Sequence, residues 1–133
     1  MTVTIPGTKH LHQFITNNRH KVLASLSHHM LWAGDFNQHH PYWDDDNDIH
    51  LFTQQAITQA NTLIKLIANY DLDMALPKGI PTLRHMVTKR YSRPDNVFAT
   101  NGLADHITVC KVDPTSRPPS TDHFPITTNI QLP

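Results

Sequence analysis

Residues able to do chemistry together stand at three points of the chain. Asp35 and Asn37 lie two apart where an apolar run, residues 30–36, closes on Gly34-Asp35-Phe36-Asn37. If that run is a strand, period-two geometry sends both side chains to one side, at the carboxyl end where open α/β sheets form their crevices. A carboxylate beside an amide donor suits orienting a water and contacting a phosphate. Taken alone, the same four residues are first read as an Asx turn at a strand end. Asp122 and His123 are neighbours, and neighbours on a strand face opposite ways. Pro118-Pro119 before them and Pro125 after them point to a loop instead, from which both could serve one site or form an ordinary polar turn. Asp95 sits between Pro94 and the run Asn96-Val97-Phe98. A carboxylate entering a strand beside a histidine can fix that imidazole's tautomer or keep it protonated, and the plainer reading is a turn aspartate after proline.

Hydrolysis of a phosphodiester would draw on such a set. A water must be oriented, charge on the phosphorus oxygens met and the leaving oxygen stabilised; a carboxylate-held hard cation and a few placed donors do this. The whole-chain charge leaves those placed groups to do the work. Lys+Arg and Asp+Glu number 11 each over 133 residues, so no broad basic field draws nucleic acid or an anionic membrane, and an anion must be held locally. The single cysteine, Cys110, excludes an internal disulfide framework and a cysteine-based zinc site, fits a reducing compartment, and reads as a small core residue in Ile107-Thr108-Val109-Cys110. The 11 histidines show no His-Glu-x-x-His spacing, so a zinc module is disfavoured and most are read as surface residues. No run of about 18 apolar residues suggests a membrane span.

The elements that must position these residues follow from periodicity. Residues 1–7 read as extended, a helix is expected somewhere within residues 9–26, and residues 30–36 as a buried strand. Residues 51–69 carry the clearest helical stripe, Phe52, Ala56, Ile57, Ala60, Leu63, Ile64 and Ile67, with Asp48 or Asn47 as its cap. Strand-sized pieces follow at residues 72–76, 82–87, 96–100, 107–112 and 126–132, giving a layered α/β or α+β domain.

Four segments in order carry a resemblance. Gly34-Asp35-Phe36-Asn37, extended by His39-His40-Pro41-Tyr42-Trp43, resembles the Gly-Asp-Phe-Asn motif of the endonuclease/exonuclease/phosphatase superfamily in the branch carried by non-LTR retrotransposons. Ser120-Thr121-Asp122-His123-Phe124-Pro125-Ile126 is similar to that family's closing motif, with Leu76-Pro77-Lys78-Gly79-Ile80-Pro81-Thr82 and Arg93-Pro94-Asp95-Asn96-Val97-Phe98 as the landmarks between. The resemblance runs from about Met30 onward. It implies a DNase I-like, partial four-layer α/β sandwich: one mixed sheet with flanking helices, residues 1–133 forming the C-terminal part of a single domain. It implies a metal-dependent DNA endonuclease in which Asp35 orients or deprotonates water and Asn37 donates to the phosphate. Asp122 would ligate Mg2+ or Mn2+, and His123, held by Asp95, would stabilise the transition state. DNA is the implied substrate, and His39 and His40 are candidates to touch it.

The departures shape the expectation. The family's first half brings an Asn, a metal-binding Glu and a Tyr or His that find no counterpart before Gly34, so the cation is expected to be weakly held and turnover poor. The alternative is a non-catalytic remnant that binds protein or nucleic acid. Without a partner sheet, one sheet face is expected to lie bare and apolar. Asp44, Asp46 and Asp48 mimic the start of an EF-hand loop, but Ile49 and Gln55 stand where Gly and Glu are required, and a solvated helix entry is the better reading. Tyr42 and Trp43 are read as anchors of their loop before bases to stack on.

Overall fold

The computed structural model describes residues 2–5, 29–117, 119 and 121–131. The helix expected within residues 9–26 lies outside them. Three layers are built from the rest. The middle one is an antiparallel sheet of β2 (Leu31–Asp35), β6 (Asp95–Thr100) and β3 (Leu72–Met74), with β6 at its centre. A second antiparallel sheet runs β1 (Thr2–Ile5), β8 (Ile126–Ile130), β7 (Ile107–Val112). A ribbon of β4 (Leu83–Arg84) and β5 (Tyr91–Ser92) stands apart from both.

Strand alternation decides what covers each face of the middle sheet. Trp32 of β2 and Phe98 of β6 join one cluster with Ala60, Leu63, Leu66 and Ile67 of α1 (Gln54–Asn69). Their neighbours Leu31, Ala33 and Val97 point the other way, onto Ile126, Cys110 and Val112 of the second sheet. Five consecutive residues of β6, Asp95 to Ala99, are therefore buried, as expected of a strand packed on both sides. This overturns two expectations. The α/β sandwich stands, but in place of one mixed sheet there are two antiparallel sheets packed face to face. Among the described residues the expected bare apolar face is not seen either, because the second sheet covers it. What β7 and β8 turn outward is largely polar: Lys111, Thr127 and Asn129 with the half-exposed Val109.

The long helix starts later than periodicity suggested. Residues Asp46–Leu51 form a 3-10 turn capped by Asp45, whose Oδ1 accepts from the Asn47 N–H at 2.8 Å. The chain extends through Phe52, and Thr53 caps α1 by accepting from the Ala56 N–H at 3.1 Å. Neither Asn47 nor Asp48 is the cap, and Leu51 is 48% exposed. The buried stripe is Ala60, Leu63, Leu66 and Ile67, with Phe52, Ile57 and Ile64 only half-buried. Residues 82–87 shorten to β4 because Lys89, at φ 60, turns the chain back; His85 N–H donates to Arg90 O at 2.8 Å and Lys89 N–H to His85 O at 2.9 Å. Trp43 is fully buried and its indole N–H donates to Gln38 O at 3.0 Å, pinning the loop after β2, while Tyr42 is 46% exposed.

Candidate active site

The antiparallel register of β2 and β6 sets Asp35, the last residue of one, directly opposite Asp95, the first of the other. Two adjacent carboxylates at a buried strand end repel unless a cation separates them. His123 does so. Its Nδ1 lies 2.8 Å from Asp95 Oδ2, a charge-assisted hydrogen bond, and its Nε2 lies 3.7 Å from Asp35 Oδ2, an ion-pair distance. His123 is 8% exposed and Asp95 3%. The hydrogen bond to Asp95 raises the imidazole above its ordinary value; burial opposes that, and the charges of Asp95, Asp35 and Asp122 add to it. The second oxygen of Asp95, Oδ1, is buried without a hydrogen-bond partner, so His123 is the side chain that answers that carboxylate.

Backbone pairing places His123. Leu83 forms an antiparallel bridge with it, Arg84 N–H donates to Asp122 O at 3.0 Å and Phe124 N–H to Thr82 O at 2.8 Å. Thr82 is wholly buried, and its hydroxyl accepts from the Asp95 N–H at 3.1 Å, tying the histidine loop to the strand that carries its partner. Arg93, 2% exposed, is the second tie. It donates to the carbonyls of Leu76 at 2.8 Å, Ile80 at 3.4 Å and Pro77, to Asn96 Oδ1 at 2.7 Å and to Asp95 O at 3.3 Å. Burial pushes its guanidinium down to about 10. Residues Thr82 and Arg93 stand in segments already singled out by resemblance, yet nothing in periodicity marks them as supports.

The other expected residues divide. Asn37 sits beside the group: its N–H donates to Asp35 Oδ1 at 2.9 Å and to Pro94 O at 3.2 Å, with φ 50 and an exposed side chain. The Asx turn is thus real, and it holds Asp35 in place. Asp122 is half-buried next to His123 and close enough for its charge to act on the ring, but it falls outside the group whose ligating atoms lie within 4.8 Å of one another, Asp35, Asp95 and His123. His39 lines a cleft of about 600 Å3 with Leu83 and Tyr91. His40 faces a separate hollow of about 430 Å3 beside Ile64 and Leu72, its Nδ1 accepts from the Tyr42 N–H at 3.0 Å, and burial lowers it.

Sequence reasoning passed over the ribbon. Residues 84–93 hold Arg84, Lys89, Arg90 and Arg93, four of the 11 Lys+Arg, and no acid. Around its tip Val87 is 82% exposed, Tyr91 53% and Met86 46%, and Arg84 lies 5.4 Å over the Tyr91 ring. That charge run was readable.

A divalent cation fits the donor set in part. Asp35 and Asp95 offer carboxylate oxygens and Asp122 a third nearby, but His123 already engages one oxygen of Asp95. A hard cation prefers about six oxygens, so most of its shell would be water.

The comparisons come to the same architecture. A family model described as endonuclease–reverse transcriptase matches residues 6–127. No curated protein sequence matches. Among solved structures, the endonuclease domain of TRAS1, a telomere-specific non-LTR retrotransposon, is 23% identical at TM-score 0.62, over 92% of this chain and 51% of that one. The 3′ phosphatase NExo from Neisseria, bound to a product DNA hairpin, is 15% identical at TM-score 0.63, over 92% and 51%. An AP endonuclease from Archaeoglobus fulgidus is 18% identical at TM-score 0.57, over 94% and 56%. The chain spans about half the length of these structures, and the likeness shows a DNase I-like layered fold.

Proposed function

The chain belongs to the endonuclease–reverse transcriptase family, and from that premise we propose that it is the C-terminal part of a retroelement-type endonuclease that cuts DNA by metal-assisted hydrolysis of a phosphodiester. The observation that carries this reading is the buried His123 held between Asp95 at 2.8 Å and Asp35 at 3.7 Å where two strand ends meet. Asp35 would orient the attacking water and take its proton. Asn37, exposed beside Asp35, would donate its amide to a phosphate oxygen. Asp95 keeps His123 protonated, and the imidazolium meets charge developing on the phosphorus oxygens, the preorganised electrostatics such chemistry rests on. A divalent cation near Asp122, Mg2+ or Mn2+, would supply Lewis acidity there. The cationic ribbon beside the cleft supports DNA as the substrate, since Arg84, Lys89 and Arg90 can meet backbone phosphates.

A second reading, a non-catalytic remnant that still binds nucleic acid, is favoured by the thin oxygen shell and by the half-length match. Nicking of supercoiled plasmid by the chain at millimolar Mg2+ or Mn2+ separates the two. Weak nicking, lost in both His123→Ala and Asp35→Asn, is the expected result. Robust nicking that survives both substitutions would place the chemistry elsewhere. DNA binding with no nicking at any cation concentration would favour the remnant.

A further inference from the structure

A second imidazole–carboxylate pair lies on the loop that Trp43 pins. Asp44 is 2% exposed; its Oδ2 accepts from the His40 N–H at 2.9 Å, and its Oδ1 lies 3.5 Å from His39 Nδ1. With Nδ1 toward Asp44, Nε2 lies on the far side of the ring. One ring face stacks on Phe52, with centroids 5.6 Å apart and planes 21° apart, so the orientation is fixed from two directions. The His39 side chain keeps 34% of its surface, within the 600 Å3 cleft.

The surroundings of that cleft narrow the ligand. Leu83 of its wall is the bridge partner of His123, so cleft and catalytic pair share a strand. The ribbon adds His85, Arg90 and the exposed Tyr91 to its lining. Asp44 and Asp48 also border the cleft, and the first is answered by His39. Contact with Asp44 raises the His39 imidazole, burial opposes it, and the charges of Asp44, Asp35 and Asp48 add to it. His40 touches Asp44 only through its backbone N–H; its Nδ1 is an acceptor, burial lowers it, and it faces another hollow.

We propose that His39, oriented by Asp44, contacts a phosphate of the bound nucleic-acid strand that flanks the one being cut. His39 Nδ1 faces a buried carboxylate at an ion-pair distance and has no hydrogen-bond partner, and its ring shares a cleft with Arg90; a ring charged there can bind an oxyanion. His40 has no such part. The inference rests on the DNA-binding half of the proposed function.

The test is fluorescence anisotropy of the whole chain with a short labelled DNA duplex in EDTA, from about 50 to 200 mM salt, where each phosphate contact contributes a slope of about 0.9 in log affinity against log salt. His39→Gln is expected to lower the slope by about that amount and His39→Arg to restore it, with His40→Gln unchanged. An unaltered slope in a folded His39→Gln protein overturns the inference and leaves DNA binding standing. Absence of binding by the unsubstituted chain overturns both. A measurement without substitution guards against a misfolded variant: the His39 ring resonances should move on titration with the duplex, and resonances that stay still while anisotropy rises overturn the assignment.

Discussion

The two histidine–aspartate pairs use the same chemistry in opposite settings. His123 and Asp95 are 2.8 Å apart with side chains 10% and 4% exposed; His39 and Asp44 are 3.5 Å apart with side chains 34% and 3% exposed. The first pair is placed by strand register and by Thr82 and Arg93, so neither partner can move without moving β6. The second sits on a loop held by the Trp43 indole, by the Gly79 N–H on Trp43 O and by the stack of His39 on Phe52. Rigid strands deliver the short, dry contact that transition-state stabilisation needs, and the loop delivers a ring that can still reach into a cleft.

The widest break between the pairs should come from Trp43→Ala. Removing a fully buried indole costs about 3–5 kcal/mol. The loop carrying His39 and Asp44 loses its indole and β6 loses the ring packed on Phe98, while the Thr82 and Arg93 ties beside His123 remain. Urea unfolding measures the loss, and histidine ring resonances in the folded fraction should show His39 altered and His123 unchanged. Equal disturbance of both rings would show that the two pairs are one unit.

Asp95→Asn attacks the other pair. The imidazole loses the carboxylate that raises it, and any plasmid nicking should fall by about a hundredfold or more, the scale of a lost transition-state contact. The salt slope of DNA binding should stay put. A matching fall in slope would mean that His123 binds substrate in the ground state.

Arg93→Met tests the support. Its guanidinium serves three carbonyls ahead of β4, so removal leaves buried acceptors unsatisfied, each costing about 1–3 kcal/mol where no water replaces the bond. Lower stability is expected, with the nicking defect appearing in turnover before affinity, because Asp95 shifts and the cleft does not. Arg93→Lys should recover only part, since an ammonium cannot span the same fork of acceptors.

How much of this was legible varies with the range of the interaction. Ile107–Val112 was readable to the residue, because alternation and flanking turn residues are local signals. Asp35, Asp95 and His123 were readable as candidates because each falls at a boundary that Pro or Gly marks. Their meeting was implied by the resemblance, which held His123 by Asp95, and not by the residues themselves, since it depends on β6 entering between β2 and β3. Leu51 was drawn into the helix by its apolar side chain alone, although Thr53 is the better cap and Leu51 is left in solvent. Arg93 looks like any charged residue before a proline. Only the carbonyls at Leu76, Pro77 and Ile80, brought in from far along the chain, reveal its role. The covering of the middle sheet was missed because its partner sheet was assigned to the family's first half, whereas β7 and β8 of this chain supply it.

The smallest expected effect is the most specific to the second pair. His39 is raised by Asp44, so its contribution to stability is fully present below the ordinary histidine value of about 6.5 and fades as pH rises through its folded value. His123 is raised as well and gives the same sign, so the whole protein's pH profile cannot separate them. The difference between the unsubstituted chain and His39→Gln can, because His123 cancels. That difference should be largest below about pH 6 and shrink steadily above the ordinary value, in urea unfolding followed at several pH values. With a third of the side chain in solvent, screening holds it under about 1 kcal/mol. High salt should reduce it further, as the buried His123–Asp95 contact would not be reduced. A difference that grows with pH would mean that Asp44 meets a neutral ring, and the loop pair would then be a packing contact without a charge to offer a phosphate.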